Sequence, residues 1–235
     1  YAYPDRIGFC PGLSCQFFCT FCGRNYSAVY EREFGDKGYE IFKQIIDQTS
    51  KESNNNNPYH ITGGLEPLTF PRIGDLVSYG SKKGFPMEMK TNGFSLTPEF
   101  LVKQPGILDL SVLRISLYGV NQESTLEITK NPKGFEKVKN NIINFLKLKT
   151  KIKLGLNYVI LHNNLDDVLL LLDYIEDVNS KSNNQVDFLT LREDFSPEAQ
   201  DISSNEREKL LDIFKEIDNK LKSQNLNNLH IDYGY

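Results

Sequence analysis

The chain has 235 residues, 39% hydrophobic and 25% charged, with a formal net charge of -4. That length buries a full core in one domain, and both charge signs are spread along it, which excludes nucleic-acid binding driven by a basic surface. No apolar run reaches the length of a membrane span and no signal-peptide pattern opens the chain, so a soluble, cytoplasmic protein without a membrane partner is expected. The first residue is Tyr1 rather than Met and no linker divides the sequence, so residues 1–235 read as one core domain trimmed from a longer chain.

The elements alternate from the start. Residues 3–10 read as a first strand in which Ile7 and Phe9 alternate with Arg6, Gly8 and Cys10, and Pro11-Gly12 ends it. A helix over 37–50 carries Ile41, Phe42, Ile45 and Ile46 on one face. The Asn54–Asn57 run is a polar connector. A second strand over 58–64 ends in Gly63-Gly64-Leu65-Glu66-Pro67, and a helix over about 71–83 follows. A third strand over 86–92 closes at Asn92-Gly93. Thr97 then caps a short helix that has Pro98 at its first position. A fourth strand over 110–118, a helix over about 133–149 and a fifth strand over 152–161 come next. Asn164 is placed to cap the helix at 165–178. A sixth strand over 186–192 and a helix over 203–223 complete the pattern, and 229–233 starts a further strand.

Strands alternating with helices predict a parallel sheet with right-handed crossovers. The chain is short for an eight-unit barrel of about 250 residues, so the expected architecture is α/β, a six-unit (βα)6 partial TIM-type barrel. Parallel strands covered on both faces usually read as continuous apolar runs, and these do not. Leu113, Ile115 and Leu117 alternate with Arg114, Ser116 and Tyr118; Met87 and Met89 with Glu88, Lys90 and Asn92; Leu156, Tyr158 and Ile160 with Gly155 and Asn157; Leu189 and Leu191 with Thr190, Arg192 and Asp194. One face of each strand suits helices. The other suits a wet, ligand-filled interior, with the strands' C-terminal ends carrying the site. A half-solvated antiparallel sheet is the competing reading, and the intervening helical patterns oppose it.

Four cysteines, three of them clustered, do not form a disulfide framework; they read as metal binding in a reducing compartment. Cys15, Cys19 and Cys22 are three thiols within eight residues, directly after the first strand. Three thiolates do not close a tetrahedral structural zinc site. They can hold three irons of a [4Fe–4S] cube and leave the fourth iron open. On spacing alone, structural cysteines with a distant fourth partner remain the alternative. Cys10 reads as a buried thiol outside the set, with a fourth ligand as the alternative.

With the Cys-x3-Cys-x-Phe-Cys loop after strand one and Gly63-Gly64 after strand two, the chain resembles the radical S-adenosylmethionine (SAM) enzymes. The resemblance implies a [4Fe–4S] cluster on Cys15, Cys19 and Cys22, with SAM at the open iron. SAM would be cleaved reductively to a 5′-deoxyadenosyl radical that takes hydrogen from a substrate, with an electron donor such as flavodoxin or ferredoxin. It further implies Phe21 beside the adenine, Gly63 and Gly64 receiving the SAM amino group, and SAM contacts from Ser116 and Asn157. Leu65 intervenes before Glu66, where the family's acid directly follows the glycines; Glu66 is carried as a ligand for the SAM ammonium. Arg114 and Lys130 are candidates for the SAM carboxylate.

Beyond SAM, the polar face offers Lys90, Asn92, Arg114, Tyr118, Arg192 and Glu193 as substrate-binding candidates. His60 is either a base or a hydrogen-bonded structural residue, and Lys90 and Glu88 read as a pair. Arg192-Glu193-Asp194 is either a solvated loop or a fork that reads a hydroxylated or phosphorylated ligand. The Ser-Leu-Tyr-Gly and Leu-Arg-Glu-Asp-Phe runs resemble the sugar- and aminosugar-modifying branch. The expected function is hydrogen abstraction from a small polar substrate such as a sugar, aminosugar or nucleotide sugar, leading to deamination, dehydration, epimerisation or oxidation. A peptide-modifying enzyme or activase, and a non-catalytic iron–sulfur or zinc module, are the alternatives.

Overall fold

The computed structural model describes residues 6–23, 29–50, 57–193, 202–223, 226 and 228–234. Asp194, most of the Asn54–Asn57 run and residues 3–5 of the expected first strand lie outside them. The chain gathers into two compact units, one of residues 1–16, 24–115 and 150–153, the other of residues 17–23, 116–149 and 154–235.

The first unit carries β1 (Ile7–Phe9), α1 (Arg32–Ser50), β2 (Tyr59–Ile61), α2 (Ile73–Lys82), β3 (Met87–Thr91), α3 (Pro98–Lys103) and most of β4 (Val112–Leu117). Its strands pair in parallel and in chain order, with Phe9, Ile61, Met89 and Leu113 in one register row. The period of two sorts the residues as expected. Phe9, Tyr59, Ile61, Met87, Met89, Leu113 and Ile115 are buried together with Ile73, Leu76 and Val77 of α2. Rings tie the layers: Phe9 lies 4.7 Å from Phe42 and 5.1 Å from Tyr59, and Tyr59 meets Phe85 edge-on at 4.7 Å.

Two sequence expectations shift here. The helix over 37–50 begins earlier, at Arg32, and its buried stripe is Gly35, Tyr39 and Ile46, with Phe42 and Ile45 half-buried. Ile41 is exposed, because one residue off that stripe is a rotation of about 100°. Cys10 is exposed rather than buried, because alternation sends Phe9 into the core and Cys10 to the face of Gly8.

The second unit carries α4 (Gln122–Thr129), α5 (Gly134–Leu146), nearly all of β5 (Lys153–Ile160), α6 (Leu171–Ser180), β6 (Phe188–Glu193), α7 (Ser204–Ser223) and β7 (His230–Asp232). Here β5, β6 and β7 pair in parallel and in chain order. Leu154, Leu156, Tyr158, Leu189 and Leu191 form the buried strand face, and Ile142, Ile175 and Ile217 of the helices are equally buried. With β7, the described strands number seven, one more than the six-unit expectation.

Asn164 does not cap a helix. Its Oδ1 accepts from Leu161 N at 2.7 Å and its Nδ2 donates to Val159 O at 2.8 Å, pinning the turn after β5. The expected helix at 165–178 begins instead as a 3-10 turn over Leu165–Leu170.

Thr97 does cap α3: its hydroxyl accepts from Phe100 N at 3.2 Å, and Pro98 fills the first helical position, where no N–H is needed. Thr97→Ala is expected to lower unfolding free energy by about 1 kcal/mol. Thr97→Ser, which keeps the acceptor, should stay near the parent value. Urea denaturation of the two variants checks this.

Candidate functional site

The cysteine loop leaves β1 through Pro11 and Gly12, both buried. A Cβ on Gly12 would stand 2.5 Å from the carbonyl carbon of Leu65, so this backbone passes directly against the turn after β2. That turn needs its two glycines: Gly63 and Gly64 have φ of 77° and 65°, in the left-handed region. Two further bonds fasten the loop to it. Glu66 N donates to Ser14 O at 2.9 Å, and Leu13 N donates to the Thr69 hydroxyl at 2.9 Å.

Glu66 is placed differently from its expected role. Its side chain is buried, 4% exposed, and both carboxylate oxygens are engaged by the protein. One accepts from Leu68 N at 3.0 Å and from the Thr91 hydroxyl; the other accepts from Asn92 N at 2.8 Å. Burial raises its pKa above the ordinary glutamate value, against the pull of the Asn92, Thr91 and Leu68 donors. Glu66 is therefore the joint between the turn after β2 and the end of β3.

Asn92 also departs from expectation. It is 5% exposed, and its amide nitrogen lies 3.7 Å from Cys15 Sγ and 3.4 Å from Gln16 Oε1. It is committed to the cysteine loop rather than to the polar strand face. Gln16 Nε2 in turn lies 3.2 Å from the Ser95 hydroxyl.

In the second unit, the loop residues Phe17 to Gly23 hang on the end of α4. Phe18 N donates to Thr129 O at 2.9 Å and Thr20 N to Ile128 O at 3.1 Å. A turn closed by Cys22 N to Cys19 O at 3.0 Å sets those two thiols. The sequence reading has no helix at α4. Its Gln-Glu-Ser-Thr-Leu-Glu-Ile-Thr run lacks an apolar stripe, and the available signal was Asn121, whose Oδ1 caps Ser124 N at 2.9 Å. Lys130 ends this helix at φ 56°, exposed. Tyr118 sits among the loop's aromatic side chains, 5.7 Å from Phe21 and 6.0 Å, edge-on, from Phe17. Ser116 is half-buried and Asn157 is 8% exposed, level with Thr190 across β5 and β6.

The polar faces are also sorted by unit. On the first, Glu88 is shared: its Oε2 lies 3.4 Å from His60 Nδ1 and 4.0 Å from Arg114 Nη2, with all three side chains less than a third exposed. Lys90 is level with Arg114 across β3 and β4. Burial, then Arg6, Lys90 and Arg114, depress the His60 pKa against the pull of Glu88, so the ring is neutral at neutral pH. On the second, Arg192 is exposed at the end of β6. Glu193 points the other way, with Leu189 and Leu191, and forks onto Arg207 of α7 at 2.6 and 2.8 Å. That ion pair removes it from the polar face.

None of the four cysteines is in a disulfide. Among the described residues no group of three His, Cys, Asp or Glu side chains stands in position to hold a metal ion. Among the same residues no helix is long and apolar enough to cross a membrane.

The Radical SAM superfamily matches residues 10–175. The dTDP-4-amino-4,6-dideoxy-D-glucose ammonia-lyase of Streptomyces venezuelae is 33% identical over 239 residues, covering 99% of this chain and 49% of that protein. The crystal structure of Streptococcus suis SuiB bound to S-adenosylmethionine superposes with a TM-score of 0.72 at 13% identity, covering 97% of this chain and 50% of that one. The same protein bound to its precursor peptide SuiA gives 0.73, at 13% identity, over 98% of this chain and 49% of that one. The chain thus spans about half the length of these proteins. The structural likenesses show the fold, the parallel α/β partial TIM-type barrel expected from the sequence.

If Glu66 is a structural joint, Glu66→Ala strands the Leu68, Thr91 and Asn92 donors. It is expected to lower unfolding free energy by on the order of 3 kcal/mol. Glu66→Gln keeps one acceptor oxygen and should lose less. Chemical denaturation without metal or SAM checks this, since a residue reserved for a ligand would leave both values unchanged.

Proposed function

The chain belongs to the radical SAM superfamily, whose members use a [4Fe–4S] cluster and SAM, and on that premise we propose that it abstracts hydrogen from a small polar substrate of the aminosugar or nucleotide-sugar class. The observation that carries the substrate class is the 33% identity to an aminosugar ammonia-lyase along 99% of this chain. The polar strand faces favour the same class. An apolar substrate would leave Lys90 and Arg114 desolvated, at a cost of several kcal/mol.

The cluster ligands in this proposal are Cys15, Cys19 and Cys22. The donor set fits: three thiols outside any disulfide in one eight-residue loop, an amide against the first and a backbone turn joining the other two. Their convergence on one cluster is part of the proposal. When bound, the cluster and SAM together supply the electron and the carbon radical that removes a hydrogen atom from the substrate.

The remaining roles belong to the chain's own groups. The backbone of Gly63 and Gly64, held at positive φ, lets the SAM amino group approach without a Cβ in the way. Phe21, 5.7 Å from Tyr118, would stand beside the adenine. Ser116 and Asn157 would hydrogen-bond SAM. Arg114 and Lys90 hold hydroxyl or phosphate oxygens of the substrate, and Arg192 adds a further donor. His60 presents Nδ1 to Glu88, which leaves Nε2 as the nitrogen that takes or returns a proton on the substrate.

With a flavodoxin, ferredoxin or chemical reductant, 5′-deoxyadenosine formation measured against a panel of sugars, nucleotide sugars and peptides tests the reading. Nucleotide aminosugars are expected to stimulate it. Arg114→Ala should cut that stimulated rate at least tenfold and spare the slow substrate-free cleavage. Replacing Cys15, Cys19 or Cys22 with Ala should abolish the brown absorbance, whereas Cys10→Ala should retain it. Stimulation by peptides alone would replace the sugar reading, and a cluster that survives all three cysteine variants would remove the cluster assignment.

A further inference from the structure

We propose that Asn92 is a positioning residue for the metal cluster: its side-chain amide donates an N–H···S hydrogen bond to Cys15 and thereby holds the cluster's reduction potential up. The inference rests on the reading of Cys15 as a cluster ligand. The contact itself is independent of that reading.

Each polar atom of the Asn92 side chain has a place. The amide nitrogen reaches Cys15 Sγ at 3.7 Å and Gln16 Oε1 at 3.4 Å, so both hydrogens have acceptors. The amide oxygen accepts from Phe94 N at 2.9 Å. Exchanging the oxygen and nitrogen would set a donor against the Phe94 N–H and an acceptor against sulfur, so the network dictates the orientation. The backbone is held as firmly. Asn92 N donates to Glu66 Oε2 at 2.8 Å, and Gly93 N donates to the Thr91 hydroxyl at 3.0 Å. With 5% exposure, the side chain has no room to swing into solvent.

The consequence follows from electrostatics. A hydrogen-bond donor at a cluster sulfur stabilises the more negative, reduced state, and such bonds are among the levers that set cluster potentials. A donor fixed through the buried Glu66 joint reorganises little when charge arrives at the sulfur. The same donor stabilises the Cys15 thiolate in metal-free protein, which governs its reactivity.

Two measurements test this, neither of them turnover. In redox titrations of the reconstituted cluster followed by electron paramagnetic resonance, Asn92→Asp replaces the donor with an isosteric acceptor. It is expected to lower the equilibrium constant for reduction about tenfold, equivalent to about 59 mV more negative for one electron. Asn92→Ala should move it the same way by about threefold. In metal-free protein, alkylation of Cys15 by iodoacetamide, read by mass spectrometry, should slow about threefold in Asn92→Ala while that of Cys10 is unchanged. If Asn92→Asp does not fold, Asn92→Ala and the alkylation rate decide. An intact cluster with parent potential in the variants overturns the tuning role, and an unchanged Cys15 alkylation rate overturns the contact. Retention of the cluster in Cys15→Ala would overturn the cluster reading and the tuning role with it, while the alkylation rate would still judge the contact.

Discussion

A buried carboxylate is tolerated only when its oxygens are satisfied, and the first unit is arranged around satisfying Glu66. Its two oxygens take donors from the 3-10 turn that follows it and from the last residue of β3 and the one beyond. Its own N–H reaches back to Ser14. Three segments distant in sequence, the start of the cysteine loop, the turn after β2 and the end of β3, therefore meet at one residue. Gly12 completes the contact by allowing backbone against backbone at Leu65. The position of Cys15 depends on this joint, because the loop has no regular secondary structure of its own to hold it.

This arrangement recasts the inserted Leu65. In the family pattern that the sequence resembles, the acid directly follows the glycines. Here the acid comes one residue later, and the chain turns it inward, beneath β3. Gly63 is exposed while Glu66 is buried, three residues on. The turn still presents its glycine backbone, but its charge is spent on holding the protein together.

Elements were legible where a period ran long enough. Alternation in β3, β4 and β5 marks both the buried face and the polar one, and Thr97-Pro98 marks a helix start with a capping mechanism behind it. Short or weakly patterned pieces were harder to read. In α4, Thr125, Ile128 and Thr129 are the buried positions, too few and too β-branched to declare a helix, yet its carbonyls carry half of the cysteine loop. Direction within a strand end was also hidden. Arg192 and Glu193 are adjacent and both charged, but alternation gives them opposite faces, and Arg207, fourteen residues away, claims the second. Asn92 belongs to the same class. A polar residue ending a strand reads equally as a ligand group or as a fastening, and only its neighbours in space distinguish the two.

The polar face of the first unit has a charge logic of its own. Glu88 is the acid that His60 and Arg114 share, with Lys90 and Arg6 adding positive charge around it. The His60 imidazole is held neutral at neutral pH. Burial and three cations do so here, because each disfavours a further positive charge while Glu88 alone favours it. The outcome is a neutral imidazole beside guanidinium and ammonium groups and one shared carboxylate, the set of groups on which the substrate proposal draws. An apolar ligand would desolvate these charged groups at a cost of several kcal/mol, which is the physical ground for proposing a polar substrate.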